Sequence, residues 1–417
     1  MEIEVISIME SYGMFCLLWR SIMSRIIFPL GRTTRNLLSK TMCHLTLPMR
    51  WLPSDSKSFG PPRGYYHHAR TYVDQHDGRY QTVFPERKRV HAEPSSIYSS
   101  THWKFKNEKE STLREDYVAT IPKGRIVGTP GDVVTANDRL LADASKQLAT
   151  EAQCHHLLRK PWLPTLEKID GNIAVLASDR GSEFYHWFVD VLPRIYLVNK
   201  SKERIDYYYV PDDDSYKKKT LQKIGIDSGK IINPSQDHHI EAAKVIVPSL
   251  PRTFGNVPRW STEFLRKRLI PTVDEANSKL PSRVYIDRVN VLRRKVANRE
   301  RTINFLKKYN FKPVRLENYK WDKQVSIVRN ASIIVAPHGA GLVNTIFCSD
   351  GCNIIEIFSP NYMNLCYWKL LQNLNVRYHY IIGSGKRPKK GNDPHYGWDP
   401  IEVNIDALEN TLEAILR

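Results

Sequence analysis

His186 and Asp190 stand one helical turn apart in the run SEFYHWFVDVLPRIYLVN at residues 182–199. On a helix Glu183, His186 and Asp190 fall at i, i+3 and i+7 and share one face. An imidazole oriented by a carboxylate is the usual equipment of a general base, the acid holding its tautomer. Tyr185, Trp187, Phe188 and Val189 fill the rest of the helix, so the competing reading is a histidine satisfied inside a packed core. A second constellation begins at 332–337, an apolar strand-like run that ends in the turn His338-Gly339-Ala340-Gly341 before Leu342–Phe347 opens a helix. In an open α/β sheet, ligands gather at the carboxyl ends of strands. Glycines 339 and 341 are expected to supply positive φ and a bare backbone, and the helix start offers N–H groups to a phosphate, with His338 at the rim. Glu356, inside the apolar strand NIIEIF, is costly to bury unless paired, and as an acceptor it suits a ribose diol. Arg288, Arg293, Arg294 and Lys295 crowd the loop after a strand at 283–287, where guanidinium forks would hold an anionic leaving group. The plainer alternatives are a compact β–α turn and a solvated basic loop.

The elements that must position these groups read as four regions. Residues 1–110, rich in Pro, His, Ser and Tyr, keep neither a period of 2 nor of 3.6 and are expected to form an irregular basic extension. Residues 111–172 contain short β-rich pieces between Gly, Pro and Asn-Asp turns, which predicts a small antiparallel sheet. Residues 173–275 alternate strands with the helices 182–199, 215–224 and 261–269, and Pro193 is expected to kink or break the first of these. Residues 280–417 carry an unbroken β/α alternation, the pattern of a nucleotide-binding lobe.

Composition bounds the rest. The chain has 417 residues, 62 Lys+Arg against 44 Asp+Glu and a formal charge of +18, with 41% hydrophobic residues. That balance excludes wholesale disorder, collagen, coiled coil and a polytopic membrane protein. Six scattered cysteines make neither a disulfide framework nor a zinc motif and suggest a reducing compartment. The stretch at 11–30 is interrupted by Arg20 and Arg25, too polar for a span, and fits an amphipathic helix on an anionic membrane surface or one packed on its own protein. Basicity is spread along the chain without a nucleic-acid motif, so no specific nucleic acid is expected. Asp212-Asp213-Asp214 is read as a solvated turn rather than a metal-binding triplet.

The series GSEFYHWFVDVLPR at 181–194, RKVAN at 294–298, VRLE at 314–317 and APHGAGLVN at 336–344, followed by Glu356, resembles the family 61 glycosyltransferases over roughly residues 115–380. This family includes bacterial capsule and exopolysaccharide proteins, plant xylan transferases and animal O-GlcNAc transferases. The resemblance implies an α/β fold of GT-B type, two Rossmann-like lobes facing a cleft. It implies inverting transfer from a nucleotide-sugar, usually a UDP-sugar, to a hydroxyl of a glycan or lipid-linked glycan in polysaccharide biosynthesis. No metal or cofactor is implied beyond that co-substrate. On this reading His186 or Asp190 is the base. Arg288, Arg294, Lys295, Glu317, His338, Gly339, Ala340, Gly341, Leu342, Asn344 and Glu356 line the donor, with Glu356 on the ribose. A cytoplasmic protein in peripheral contact with the inner membrane fits the basic N-terminus. The alternative is a nucleotide-sugar-binding or polysaccharide-assembly subunit without turnover.

Overall fold

A computed structural model describes residues 59–145, 151–160, 162–251, 255–270, 280–392 and 397–417; the expected membrane-surface helix at 11–30 lies outside them. β1 (Gly64–Tyr66) and β2 (Arg79–Phe84) are followed by β3 (Arg87–Val90) and β4 (Glu110–Leu113), a separate antiparallel pair. Then come β5 (Asp116–Pro122), β6 (Arg125–Val127), β7 (Asp132–Val134), β8 (Arg139–Leu141), β9 (Glu167–Val175), β10 (Tyr207–Tyr209), β11 (Ile231–Ile232) and β12 (His239–Pro248). Apart from β3 and β4, these strands make one ten-stranded mixed sheet in the order β1-β8-β7-β6-β12-β9-β10-β11, with β5 beside β12 and β2 beside β5.

This sheet corrects two expectations. Residues 59–110 are not an irregular lead-in, because β1 pairs with β8 and β2 with β5. Further on, Trp368 donates from its indole N–H to the Ala92 carbonyl at 3.0 Å, and Phe105 lies 4.6 Å from Tyr380. Pairing to partners so distant in sequence leaves no local period to read. The boundary expected at 172 also disappears. β12 is longer than the strand read at 244–247, and it runs antiparallel to β5 and β6 on one side and parallel to β9 on the other, fusing the antiparallel and α/β regions.

The second sheet agrees with its expectation. β13 (Arg283–Ile286), β14 (Lys312–Val314), β15 (Ile333–Pro337), β16 (Asn353–Phe358) and β17 (Arg377–Ile382) are all parallel in the order β14-β13-β15-β16-β17. β15 is buried throughout and β16 beyond its first residue, which is why both read as continuous apolar runs. The connections include helices Arg299–Lys308 and Trp321–Asn330. The helix expected over Leu342–Phe347 is a 3₁₀ segment that begins at Ala340, and a short helix follows at Cys366–Leu371. The strand order is that of a doubly wound sheet whose connections reverse direction between β13 and β15.

The two sheets share a hydrophobic core. Phe188 stacks on Trp321 at 5.9 Å and meets Phe347 edge-on at 5.9 Å, so the segment carrying His186 packs directly on the helix and 3₁₀ turn that flank β15. Each such fully buried ring contributes about 1.5–3 kcal/mol. Arg194 anchors the same segment to the first sheet. It is wholly buried, and its guanidinium donates to the carbonyl of Pro248, the last residue of β12, at 2.7 Å and to that of Ala177, just past β9, at 2.7 Å. Burial lowers its pKa to about 10, which leaves it charged at neutral pH.

Buried histidines set an acid limit on this fold. His91, His239 and His379 are each lowered by burial from 6.5 to about 4. His239 accepts a bond from Arg125, a partner that opposes its protonation. The unfolded chain therefore takes up protons first, and the stability these groups contribute is intact above pH 6.5 and lost as the pH falls toward 4. Asp116, raised by burial from 3.8 to about 6, acts in the opposite sense over part of that window. Three groups outweigh one. The expected result is a melting temperature that falls between pH 6.5 and 4, read by circular dichroism; a melting temperature that rises over that interval would contradict it.

Candidate active site

The 182–199 run breaks as Pro193 requires, since proline offers no N–H to continue the ladder. A single helical turn at Phe184–His186 passes into a π-helical turn at Trp187–Val191, and a new helix runs over Arg194–Ser201. Such π turns are frequent at functional sites. Here the chain places His186 Nδ1 2.5 Å from Asp190 Oδ2. A carboxylate can only accept, so Nδ1 carries the proton and Nε2 the lone pair, the atom a general base uses. Nε2 lies 4.0 Å from Glu183 Oε2. The three residues aligned from sequence do share a face.

The turn after β15 lies at the sheet's switch point, where a ligand crevice is expected. His338 Nδ1 is 2.5 Å from Glu356 Oε1, and the Tyr378 hydroxyl donates to Glu356 Oε2 at 2.6 Å. Burial, then the Glu356 charge, raises the Tyr378 pKa. Glu356 is 0% exposed with both oxygens engaged, so it fixes the orientation of His338 and presents no oxygen to a ribose.

The glycines act differently from expectation. Neither Gly339 nor Gly341 takes a positive φ; Gly339 is extended at φ 177°. The space a Cβ at 339 would take is filled by Arg288, whose guanidinium nitrogen lies 1.5 Å from that point, so a larger residue there would displace this side chain. Arg288 is thereby laid across the turn. Its bonds are sparse: one long contact of 3.4 Å to the Arg293 carbonyl, and an Nε that is buried without a partner. Burial, then the Arg294 charge, lowers its pKa.

Arg294 serves the backbone instead. It donates to the His338 carbonyl at 3.1 Å and the Gly397 carbonyl at 2.9 Å, with its guanidinium over the Tyr362 ring at 4.9 Å. Lys295 is exposed, and its carbonyl pairs with the amide of Ile401. Glu317 is exposed in the turn after β14, and its charge partly offsets the shift at Arg288. Ala340 is exposed at the crevice, Gly341 is half-buried, and Leu342 enters the core. Asn344 faces away, donating to Gln324 at 2.9 Å within the interior.

Two tyrosines connect the dyads. The Tyr185 ring lies 5.2 Å from His186 and 5.5 Å from Tyr367, and Tyr367 lies 5.3 Å from His338 while donating its hydroxyl to the Gly339 carbonyl at 2.8 Å. His186 and His338 therefore border one aromatic-walled region between the sheets. Tyr367 and Tyr378 escape a sequence reading because they sit in apolar runs that look like core, and their hydroxyl partners belong to distant elements.

Carboxylates elsewhere are engaged. Asp213 and Asp214, read as a solvated turn, hold the buried Lys217 at 2.7 and 3.4 Å. Asp132, His155 and His156 form a cluster of metal-ligand types among the described residues. His155 Nδ1 accepts the Leu157 N–H at 3.2 Å, so Nε2 carries the proton and donates to the Ser145 carbonyl at 2.8 Å. Both ring nitrogens are committed, leaving Asp132 and His156, fewer ligands than a structural or catalytic zinc site has.

Fold and site together define a mixed α/β protein with two parallel-stranded regions and a cationic, histidine-bordered crevice at a switch point. Residues 184–355 match the model of the family described as Glycosyltransferase 61, from the helix of His186 to the residue before Glu356. The chain is similar to the EGF domain-specific O-linked N-acetylglucosamine transferase of Drosophila melanogaster, 29% identical over 201 residues that cover 41% of this chain and 38% of that protein. The protein of the same name in Mus musculus is 29% identical over 122 residues, 27% of this chain and 22% of that protein. The matches thus span well under half the length of these relatives. They support a glycosyltransferase.

Proposed function

We propose that the protein is an inverting glycosyltransferase that moves a sugar from a nucleotide-sugar, a UDP-sugar first, to a hydroxyl of a glycan or lipid-linked glycan in polysaccharide biosynthesis. The observation that carries this reading is Arg288, a sparsely bonded guanidinium laid over Gly339 at the switch point beside His338. A half-buried cation with few bonds, next to a second arginine, is completed by an anion, and a departing diphosphate is such an anion. The two sheets are read as the lobes of a GT-B arrangement, with the acceptor entering from the His186 side.

In the transfer, the acceptor oxygen attacks the anomeric carbon while its proton passes to His186 Nε2. The bond from that carbon to the diphosphate oxygen breaks on the opposite face, and its electron pair leaves with the diphosphate. Arg288 and the backbone of the 339–342 turn stabilise that charge without a metal ion. Asp190 holds His186, and Glu356 holds His338 toward the phosphates. No described helix is long and apolar enough to cross a membrane. With the +18 charge, this is compatible with a cytoplasmic protein that touches an anionic membrane surface.

The test is a thermal-shift and turnover screen against UDP-, GDP-, CMP- and dTDP-sugars, with and without EDTA. UDP-N-acetylglucosamine comes first, since that sugar appears in the relatives' names. The expected result is stabilisation by UDP-sugars that persists in EDTA, about 2.7 kcal/mol at a hundredfold excess over Kd, and a product of inverted anomeric configuration by NMR. Folded protein that responds to no nucleotide class would refute the reading.

A further inference from the structure

The segment 98–106 and the loops after β16 and β17 enclose a cavity of about 460 Å3, within the roughly 300–1,000 Å3 of small-molecule sites. It is set apart from the switch-point crevice by the loop at 359–365. Tyr362 of that loop faces His338 and Arg294, whereas Pro360 and Met363 line the cavity. Lys104, Lys106, Arg387 and Lys390 surround the space, and among the described residues no Asp or Glu side chain lines it. Among the described residues, Lys106, Arg387 and Lys390 form no ion pair with a carboxylate, although the molecule pairs many other cations.

The wall is built before any ligand arrives. The Ile382 amide donates to the Tyr98 hydroxyl at 2.8 Å, the His102 amide to the Tyr380 hydroxyl at 3.0 Å, and Lys104 Nζ to the Met363 carbonyl at 2.5 Å. Phe105 packs behind it against Tyr380 and Trp368. A wall fixed this way pays little ordering entropy on binding.

We propose that this cavity is a second binding site, for an anionic saccharide: a sugar carrying carboxylate or phosphate groups. The unpaired cations select negative charge. Trp103, which lines the cavity, supplies an indole against which the C–H face of a pyranose packs by dispersion, while Arg387 lies over the Tyr98 ring. Ser99, Ser100, Thr101 and Asn392 add neutral donors and acceptors suited to sugar hydroxyls. A volume of about 460 Å3 accepts a few sugar rings. The proposal does not depend on the transfer reaction.

Isothermal titration of the full chain tests it, using trigalacturonate for carboxylate, glucose 6-phosphate for phosphate, and a neutral trisaccharide as control. At least one anionic probe is expected to bind, more weakly as salt rises, while the neutral control does not. Lys106→Glu and Arg387→Glu, both at exposed side chains, are each expected to weaken that binding at least tenfold without moving the melting temperature. Saturating UDP is expected to leave it unchanged. Absence of binding by either anionic probe, affinity that survives both charge reversals, or displacement by UDP would overturn the proposal, the last by placing the ligand in the switch-point crevice. None of these results bears on turnover, so failure here and failure of the transferase reading are separable.

Discussion

His186→Ala lowers turnover by about two to four orders of magnitude, the usual worth of a positioned general base, while the Michaelis constant for the donor changes little. The two halves of this expectation come from different elements. His186 ends the helical turn just before the π-helical turn beside the first sheet, whereas the cationic turn assigned to the donor belongs to the second. The substitution leaves Asp190 buried without its imidazole, which costs about 1–3 kcal/mol; the melting temperature drops modestly and the chain stays folded. Asp190→Asn separates chemistry from packing. An amide can present its N–H to Nδ1 and favour the wrong tautomer, so turnover falls although the volume is kept. The split between kcat and KM is the readout that a purely structural role would not move: kcat falls in both variants while the Michaelis constant for the donor holds. Near-normal turnover in His186→Ala would remove it from the role of base.

What the sequence disclosed and what it withheld divide along the range of the interactions. The pairing of His186 with Asp190 follows from helical spacing, and the break at Pro193 from the chemistry of one residue, so both are visible in a string. The β/α alternation after residue 280 is likewise local, because each parallel strand buried on both faces writes its own apolar run. Glu356 shows the limit. Its burial was legible from NIIEIF, but its partners, His338 just past β15 and Tyr378 on β17, come from the two neighbouring strands, and only the sheet order brings them together. Gly339 is subtler. A glycine in a turn suggests positive φ, whereas the need here is for space, created by an arginine 51 positions earlier in the chain. Residues 59–110 stayed unread for the same reason, since β1 and β2 owe their strand character to β8 and β5. The cationic cavity assembles residues near 100 with residues near 390 and has no signature in either segment alone.

Arg288→Ala reduces turnover by about 10²–10³, the loss that follows when one preorganised donor to a developing anion is removed, and it does so with little loss of stability. Most buried arginines would behave otherwise. Arg194, for comparison, bonds two carbonyls at strand ends, and its removal would strand those acceptors in the core. Arg288 has one 3.4 Å contact and an unpartnered Nε, and it lies close enough to Arg294 for their charges to repel. Truncating it therefore relieves repulsion and leaves no essential bond broken, so the melting temperature without ligand holds or rises. The stabilisation by UDP-sugar, in contrast, shrinks. Gly339→Ala approaches the same position from the other side: its methyl group needs the space of the Arg288 guanidinium and turns the side chain away from the crevice with its charge intact. If Arg288 acts by holding diphosphate, both variants lose donor stabilisation and turnover together. If it merely props the turn, Arg288→Ala lowers the ligand-free melting temperature and Arg288→Lys fails to restore it. Arg288→Lys keeps the charge without the planar fork, so under the diphosphate reading it recovers part of the donor affinity.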